Sequence, residues 1–139
     1  MADVSLPELT VPGAEPGRGR PCVLRALWLW TPVAAWMALI FGLSSRPLPP
    51  VGKLLPDWAN HGAGYGVLSL LVCRALAGGL RAPLTIPRAA LAIVFCALYG
   101  ISDEWHQSFV PTRTPEARDV MSDTLGATLA AIAFRAFAR

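Results

Sequence analysis

The stretch LRALWLWTPVAAWMALIFGLS, residues 24–44, decides the fold of this chain. It is apolar apart from Arg25 and a few hydroxyl side chains. A helix of about 21 residues is long enough to cross a hydrocarbon core of about 30 Å. Pro32 is expected to kink this helix without interrupting it, because membrane-spanning helices tolerate proline. The stretch therefore predicts a transmembrane helix.

Three more apolar blocks follow, at residues 58–80, 87–102 and 120–137. The block at 87–102 is short for a span, but its helix can continue through DEWHQ because Pro111 is the next strong helix breaker. The last block reaches spanning length if Asp123 is tolerated one turn inside it. Together the blocks predict four membrane crossings.

The predicted architecture is all-α: a small polytopic membrane protein with a four-helix transmembrane bundle over residues 22–139. Residues 1–21 are rich in proline, glycine and acidic residues and contain no apolar run. Such a segment cannot bury enough apolar surface to become ordered. We therefore predict that it is a disordered cytoplasmic tail.

The composition excludes several classes of protein. The chain has 139 residues, of which 54% are hydrophobic and 15% charged, with a mean hydropathy of +0.47. The net charge of +3 comes from arginines that separate the apolar blocks rather than forming a patch, so no nucleic-acid partner is predicted. Three cysteines without metal-ligand spacing exclude a disulfide framework and a zinc signature.

The distribution of basic residues predicts the orientation. Eight lie on the side of the chain termini and of the link between the second and third blocks, against four in the other two loops. The eight are Arg18, Arg20, Arg25, Arg74, Arg81, Arg88, Arg135 and Arg139, and the four are Arg46, Lys53, Arg113 and Arg118. The positive-inside rule then places both termini in the cytoplasm.

This topology brings three polar segments to the outer membrane interface: His61 with Tyr65, Asp103 to Gln107, and Asp119 with Asp123. Ionisable residues at a membrane boundary usually face a partner or a wet cavity. Helical spacing of three or four residues puts the members of each segment on one face. We expect them to share a pocket, below which Gly62, Gly64, Gly66 and Gly126 let the helices approach closely.

The segment SDEWHQSFVPTRTPEARDVMSDTLGA, residues 102–127, resembles the signature of the VanZ-like membrane proteins. That signature is Tyr-x-x-x-Asp-Glu-x-x-Gln-x-Phe-x-Pro-x-Arg, followed by Asp and a helix of small residues. The matching positions are Tyr99, Asp103, Glu104, Gln107, Phe109, Pro111, Arg113, Asp119 and Gly126.

Two other segments are similar to the same family. FGLSSRP, residues 41–47, resembles its Ser-Ser-x-Pro exit from the first span, and Asp57, His61 and Tyr65 match the entry to the second. The chain departs from the family pattern at three positions: Trp58 replaces a usual Lys, Thr112 a frequent Gly and Asp123 a frequent Asn. The resemblance implies a multi-pass protein of the bacterial inner membrane with a link to teicoplanin-type glycopeptide resistance.

The polar residues suggest an enzyme hypothesis: hydrolysis or transfer at a lipid-linked precursor of the cell envelope. Carboxylates and imidazoles supply general acid/base groups, and a guanidinium suits phosphate. The predicted catalytic residues are His61, Asp103, Glu104, His106 and Asp119. The predicted substrate-binding residues are Tyr65, Gln107, Arg113 and Asp123. No cofactor is predicted, although the acids and histidines could hold a divalent metal.

Structural interpretations stand beside this hypothesis. Asp119 and Asp123 can stabilise the dipole at the start of a helix, and Asp119 can cap it. Arg113 and Arg118 can pair with Asp103, Glu104 or Glu116 in a network that only fixes helix register. The protein would then be a non-enzymatic accessory or assembly protein. Transport is least favoured, because the polar residues stop within about two turns of the outer face.

Overall fold

The computed structural model describes residues 19–47 and 56–138, and every regular element within them is an α-helix. The helices are α1 (Gly19–Ser44), α2 (Asp57–Ala77), α3 (Ile86–Gln107) and α4 (Ala117–Phe137). The predicted all-α class is confirmed. Residues 1–18 of the predicted tail lie outside the described residues. Helix α1 begins at Gly19, five residues before the predicted first span.

Local sequence explains where the helices begin and end. Helix α3 starts with Pro87 in its first turn, where proline removes no intrahelical hydrogen bond, and continues through DEWHQ as predicted. Helix α2 ends at Ala77 and is capped by Gly78. Gly78 has a left-handed φ of 88°, and its N–H bonds to the carbonyls of Arg74 and Ala75. Helix α4 begins just after Pro115, three residues before the predicted start.

Three helices are long and apolar enough to cross a membrane: Cys22–Ser44 within α1, and the whole of α3 and α4. These are the helices of a multi-pass membrane protein. Helix α2 is not among them, so the four-span prediction is supported for three of its four helices. The reason is its composition, because Asp57, Asn60, His61 and Arg74 make α2 less apolar than the spans of the other three helices. Its buried residues are Tyr65, Leu68, Ser69, Val72, Cys73 and Ala75.

The closest helix packing joins α2 to α4. A Cβ placed on Gly126 would collide with the backbone carbonyl of Gly62, so the two backbones touch where neither carries a side chain. About two turns further along α2, Ser69 Oγ donates a 2.8 Å hydrogen bond to the carbonyl of Ala127. Gly66 lies against Gly126 as expected, whereas a Cβ on Gly64 would meet no atom within 4 Å. The prediction for Gly64 is therefore wrong.

The outward faces of α1, α3 and α4 are apolar. Large side chains there remain exposed in the isolated chain, among them Trp28, Leu98 and Leu129, which are 73%, 62% and 60% exposed. A bilayer supplies the apolar surroundings that such a surface requires. The exposed belt therefore agrees with a membrane location for these three helices.

The two ends of the bundle differ in chemistry. At the end where α2 finishes and α3 begins, arginines bind backbone carbonyls: Arg25 that of Gly78, Arg74 those of Trp28 and Leu29, and Arg135 that of Leu84. The opposite end, where α1 and α3 finish and α2 and α4 begin, carries the buried acidic residues. We call it the polar end.

Candidate functional site

His61 lies at the centre of the polar end, surrounded by carboxylates from two other helices. Its Nδ1 lies 3.3 Å from Asp123 Oδ1 and 3.9 Å from Glu104 Oε1. Its Nε2 lies 3.8 Å from Asp119 Oδ2. The structure thus brings four of the predicted site residues together within ion-pair distance, from α2, α3 and α4. We call these four residues the His61 cluster.

Asp123 is the most enclosed member of the His61 cluster, with no exposed surface. Neither of its carboxylate oxygens has a hydrogen-bond partner, and His61 Nδ1 is also without one. Gly100 makes room for this side chain, because a Cβ there would lie 2.8 Å from Asp123 Oδ2. A buried polar group without a partner is costly, so this carboxylate is a departure from ordinary helix packing.

Glu104 is held from two directions. Its Oε2 accepts a 2.8 Å hydrogen bond from the backbone N–H of Glu116, which precedes α4, and its Oε1 accepts a 3.3 Å hydrogen bond from Gln107. Both bonds fix the carboxylate beside His61. The structural interpretation predicted that Arg113 or Arg118 pairs with this acid. No such pair is present among the described residues.

Asp103 belongs to a second group, which links α3 to α1. Its Oδ2 accepts hydrogen bonds from Ser44 Oγ at 2.8 Å and from Gln107 Nε2 at 3.0 Å, while its Oδ1 is buried without a partner. Gln107 therefore bridges Asp103 and Glu104, and so joins this group to the His61 cluster.

A cavity of about 420 Å³ opens between α1 and α2 at the polar end. One wall is apolar and comes from α1, with Trp36, Leu39, Ile40 and Leu43. The other wall is polar, with Asp57, Asn60, His61, Tyr65, Asp103 and Arg113. The hydroxyl of Tyr65 is buried and makes no hydrogen bond. The cavity thus contacts both polar groups, through His61 and Asp103, and faces an apolar wall.

Arg113 lies at the edge of this cavity, but its donors are directed at the backbone. Nε bonds to the carbonyl of Arg46 and Nη2 to that of Leu43, both at 3.2 Å. The last carbonyls of a helix have no intrahelical partner, and a guanidinium can satisfy them. In this structure Arg113 therefore fixes the end of α1, whereas the sequence suggested that it binds an anion.

His106 does not join the His61 cluster in the described contacts. Its Nε2 lies 3.0 Å from Ser45 Oγ, and its ring stacks on Phe41 with centroids 4.4 Å apart. Both partners belong to the end of α1. The structure therefore assigns His106 a contact between helices, although the sequence placed it among the proton-transfer residues.

Sequence reasoning missed the contribution of α1. Ser44 and Ser45, which belong to the Ser-Ser-x-Pro motif at the exit of the first span, bond to Asp103 and His106. Trp36 also joins α1 to α2, because its Nε1 donates a 2.9 Å hydrogen bond to the carbonyl of Gly64. The available signal was the Ser-Ser pair itself, since two adjacent hydroxyls at the end of a span can reach acceptors on neighbouring helices.

Four packed helices, three of spanning length and composition, with buried acids at one end, define a small α-helical multi-pass membrane protein. The sequence model of the VanZ/LLP1 family matches residues 29–138. The chain therefore belongs to the VanZ/LLP1 family, and the resemblance stated from its motifs is confirmed. The match includes all of α2, α3 and α4. No curated protein and no solved structure matches the chain.

Proposed function

We propose that the protein crosses a bacterial inner membrane four times, with both termini in the cytoplasm and the polar end facing outward. Helix α2 has 21 residues, enough to span, and lies among helices that qualify by composition. Its polar residues concentrate in its first turns, where Asp57, Asn60 and His61 face the cavity. The excess of arginine at the opposite end supports this orientation.

We further propose that the cavity binds a lipid-linked precursor of the cell envelope at the extracytoplasmic face. The observation that supports this is the contrast between the two cavity walls. An apolar wall on α1 suits a lipid chain, and carboxylates and amides on the facing side accept hydrogen bonds from sugar hydroxyls. A ligand with both parts would occupy the cavity with each part against a matching surface.

The chemical role proposed for the site is proton transfer by His61. An imidazole flanked by carboxylates is the usual arrangement of a general acid or base, because the acids orient the ring and stabilise its charged form. Asp119 and Glu104 would hold the ring, and Asp103, Gln107 and Tyr65 would position the headgroup. Hydrolysis or transfer at the lipid-linked phosphate or glycan is the reaction class that this arrangement supports.

A second candidate function is that of an accessory or assembly protein. The contacts that favour it are those joining α1 to α3, where Ser44 binds Asp103 and Ser45 binds His106. Such bonds stabilise helix packing without any ligand. On this interpretation, substitution of single polar residues would weaken function gradually rather than abolish it.

The test uses purified protein in nanodiscs with lipid-linked cell-wall precursors. The wild type should bind the precursor and release product, and His61→Asn should bind but give no product. The matched variant Leu39→Trp should lose binding, because it fills the apolar side of the cavity. If no precursor binds to the wild type, the proposal fails. If expression in a susceptible host leaves teicoplanin sensitivity unchanged, the link to glycopeptide resistance fails separately.

A further inference from the structure

The His61 cluster contains more negative than positive groups. Glu104, Asp119 and Asp123 are 6%, 8% and 0% exposed, and they surround one imidazole that carries at most one positive charge. Two arginines of the polar end have other partners: Arg113 bonds to the carbonyls of Leu43 and Arg46, and Arg118 lies over the ring of Trp58 at 5.9 Å. Buried charges require compensation, and a bound cation would supply it.

Three ligand atoms are already gathered at suitable distances. His61, Glu104 and Asp119 each offer one atom, and these atoms all lie within 4.8 Å of one another. Nε2 of His61 is 3.8 Å from Oδ2 of Asp119. Ligands bound at about 2.0–2.2 Å to one ion lie roughly 3–4 Å apart. Because Oε1 of Glu104 now lies 3.9 Å from Nδ1, completing the site at Nε2 requires the Glu104 carboxylate to move toward that nitrogen.

Asp123 supplies an independent observation. It is fully buried, neither of its oxygens makes a hydrogen bond, and its Oδ1 lies 3.3 Å from Nδ1 of His61. In metal sites, the ring nitrogen that does not bind the ion usually donates its hydrogen to a carboxylate, which orients the ring. With Nε2 turned toward Asp119, the position of Asp123 matches that outer carboxylate.

A second cavity also touches the cluster, at Asp119. It has a volume of about 270 Å³ and is lined by Pro56, Asp57, Trp58, Glu116 and Arg118 as well. Three of its lining residues are acidic, which favours the entry of a cation. The cluster therefore contacts two cavities: His61 lines the first and Asp119 lines the second.

We propose that His61, Glu104 and Asp119 bind one divalent cation, with Asp123 orienting the imidazole. One nitrogen and two carboxylate oxygens suit Mn²⁺ or Zn²⁺. The ion would balance the acids of the His61 cluster and face the first cavity from the His61 side. With both ring nitrogens engaged, His61 would no longer transfer a proton, and the ion would replace that proposed role. The ion would offer a positive charge to a phosphate of the proposed ligand, a role that Arg113 does not fill while it binds the end of α1. Ion binding itself does not require the lipid.

The experiment measures Mn²⁺ binding to purified protein in nanodiscs without added lipid-linked precursor. Protein stripped with chelator is titrated with Mn²⁺ and followed by electron paramagnetic resonance, and Zn²⁺ competes in a second titration. We expect one bound ion per chain. Asp119→Asn and Glu104→Gln should lose most of this binding, and Asp123→Asn should weaken it by about 10–100-fold. The control His106→Gln, which changes a histidine outside the cluster, should bind as the wild type does.

Thermal unfolding with and without Mn²⁺ keeps the result interpretable if a variant folds poorly. The wild type should melt at higher temperature with the ion, because a ligand that binds only the folded state stabilises it. Absence of one-to-one binding in folded wild type, or equal binding by Asp119→Asn and wild type, would overturn the proposal. Ion binding without any precursor binding would leave the cation site intact and reject the proposed function alone.

Discussion

Ser44 Oγ donates a 2.8 Å hydrogen bond to Asp103 Oδ2, joining the last residue of α1 to a buried carboxylate of α3. Helix α1 also contacts α3 where Tyr99 OH donates to the carbonyl of Met37 at 2.7 Å. Ser44 also lines the cavity between α1 and α2. The position of its α1 wall therefore depends on a few polar contacts between helices.

Removing the Ser44 hydroxyl should loosen this attachment. In Ser44→Ala we expect the free energy of unfolding to fall by about 1–2 kcal/mol, because a buried carboxylate oxygen loses a donor. Thermal unfolding in detergent measures the change. Ser108→Ala is the matched control, since the Ser108 hydroxyl is exposed and bonds only to the carbonyl of Trp105. Equal stability of the two variants would contradict the assigned role.

A methyl group at Gly126 should disturb the closest helix contact. The Cβ would collide with the carbonyl of Gly62, so α2 and α4 must move apart. Overpacking of this kind typically costs about 1–3 kcal/mol, and the His61 cluster would also open because its members lie on both helices. Unfolding and Mn²⁺ titration of Gly126→Ala measure the two effects.

Gly42→Ala is the control for that substitution. A Cβ on Gly42 would meet no atom within 4 Å, and alanine favours a helix by about 1 kcal/mol over glycine. This variant should be as stable as the wild type or slightly more so. If Gly126→Ala behaved in the same way, the close approach of α2 to α4 would be refuted.

Thr112 adopts a left-handed backbone conformation, with φ of 69°. A β-branched residue is strained there by about 1–2 kcal/mol, and glycine is not. Part of this gain is offset by the greater freedom of glycine in the unfolded chain. Thr112→Gly should therefore raise the free energy of unfolding by roughly 0.5–1 kcal/mol. In the same loop, Thr114→Gly should lower the free energy of unfolding or leave it unchanged. If Thr114→Gly were the more stable of the two variants, strain at Thr112 would be excluded.

The length and composition of the apolar blocks predicted the helices well, because a long apolar stretch is stable only in apolar surroundings. The apolar blocks gave all four helices, and the absence of a breaker before Pro111 correctly extended α3 through Gln107. Helix α2 is harder to classify, because a helix enclosed by others needs fewer lipid-facing residues. Its central position depends on glycine contacts such as that between Gly62 and Gly126, and composition carries little information about them.

The site was predictable only to the level of helix faces. Spacing placed His61, Asp119 and Asp123 on faces that could converge, and the structure brings them within 4 Å. Spacing could not distinguish His106, which lies in the same turn as Glu104 but points to α1. Which neighbour a helix face meets depends on the rotation of each helix about its axis, and tertiary packing sets that rotation.

The crossing of α2 can be tested by cysteine labelling in intact cells. Single cysteines are introduced as Pro47→Cys, Leu80→Cys and Ser108→Cys after Cys22, Cys73 and Cys96 have been replaced. A membrane-impermeant maleimide should label the first and third without permeabilisation and the second only after it. Labelling of Pro47→Cys and Leu80→Cys from the same side would show that α2 does not cross, and inverted labelling would reject the proposed orientation.

Arg113→Lys distinguishes the role of Arg113 in the structure from the anion-binding role that the sequence suggested. The guanidinium bonds to two carbonyls at the end of α1, and an ammonium cannot reproduce this fork. We expect the free energy of unfolding to fall by about 1 kcal/mol. Precursor affinity should fall only through the weaker attachment of α1, which supplies one wall of the cavity. Arg118→Lys changes an exposed arginine and should leave stability unchanged. Unchanged stability of Arg113→Lys together with a marked loss of affinity for a phosphate-bearing lipid would instead show that Arg113 releases α1 and binds the anion directly.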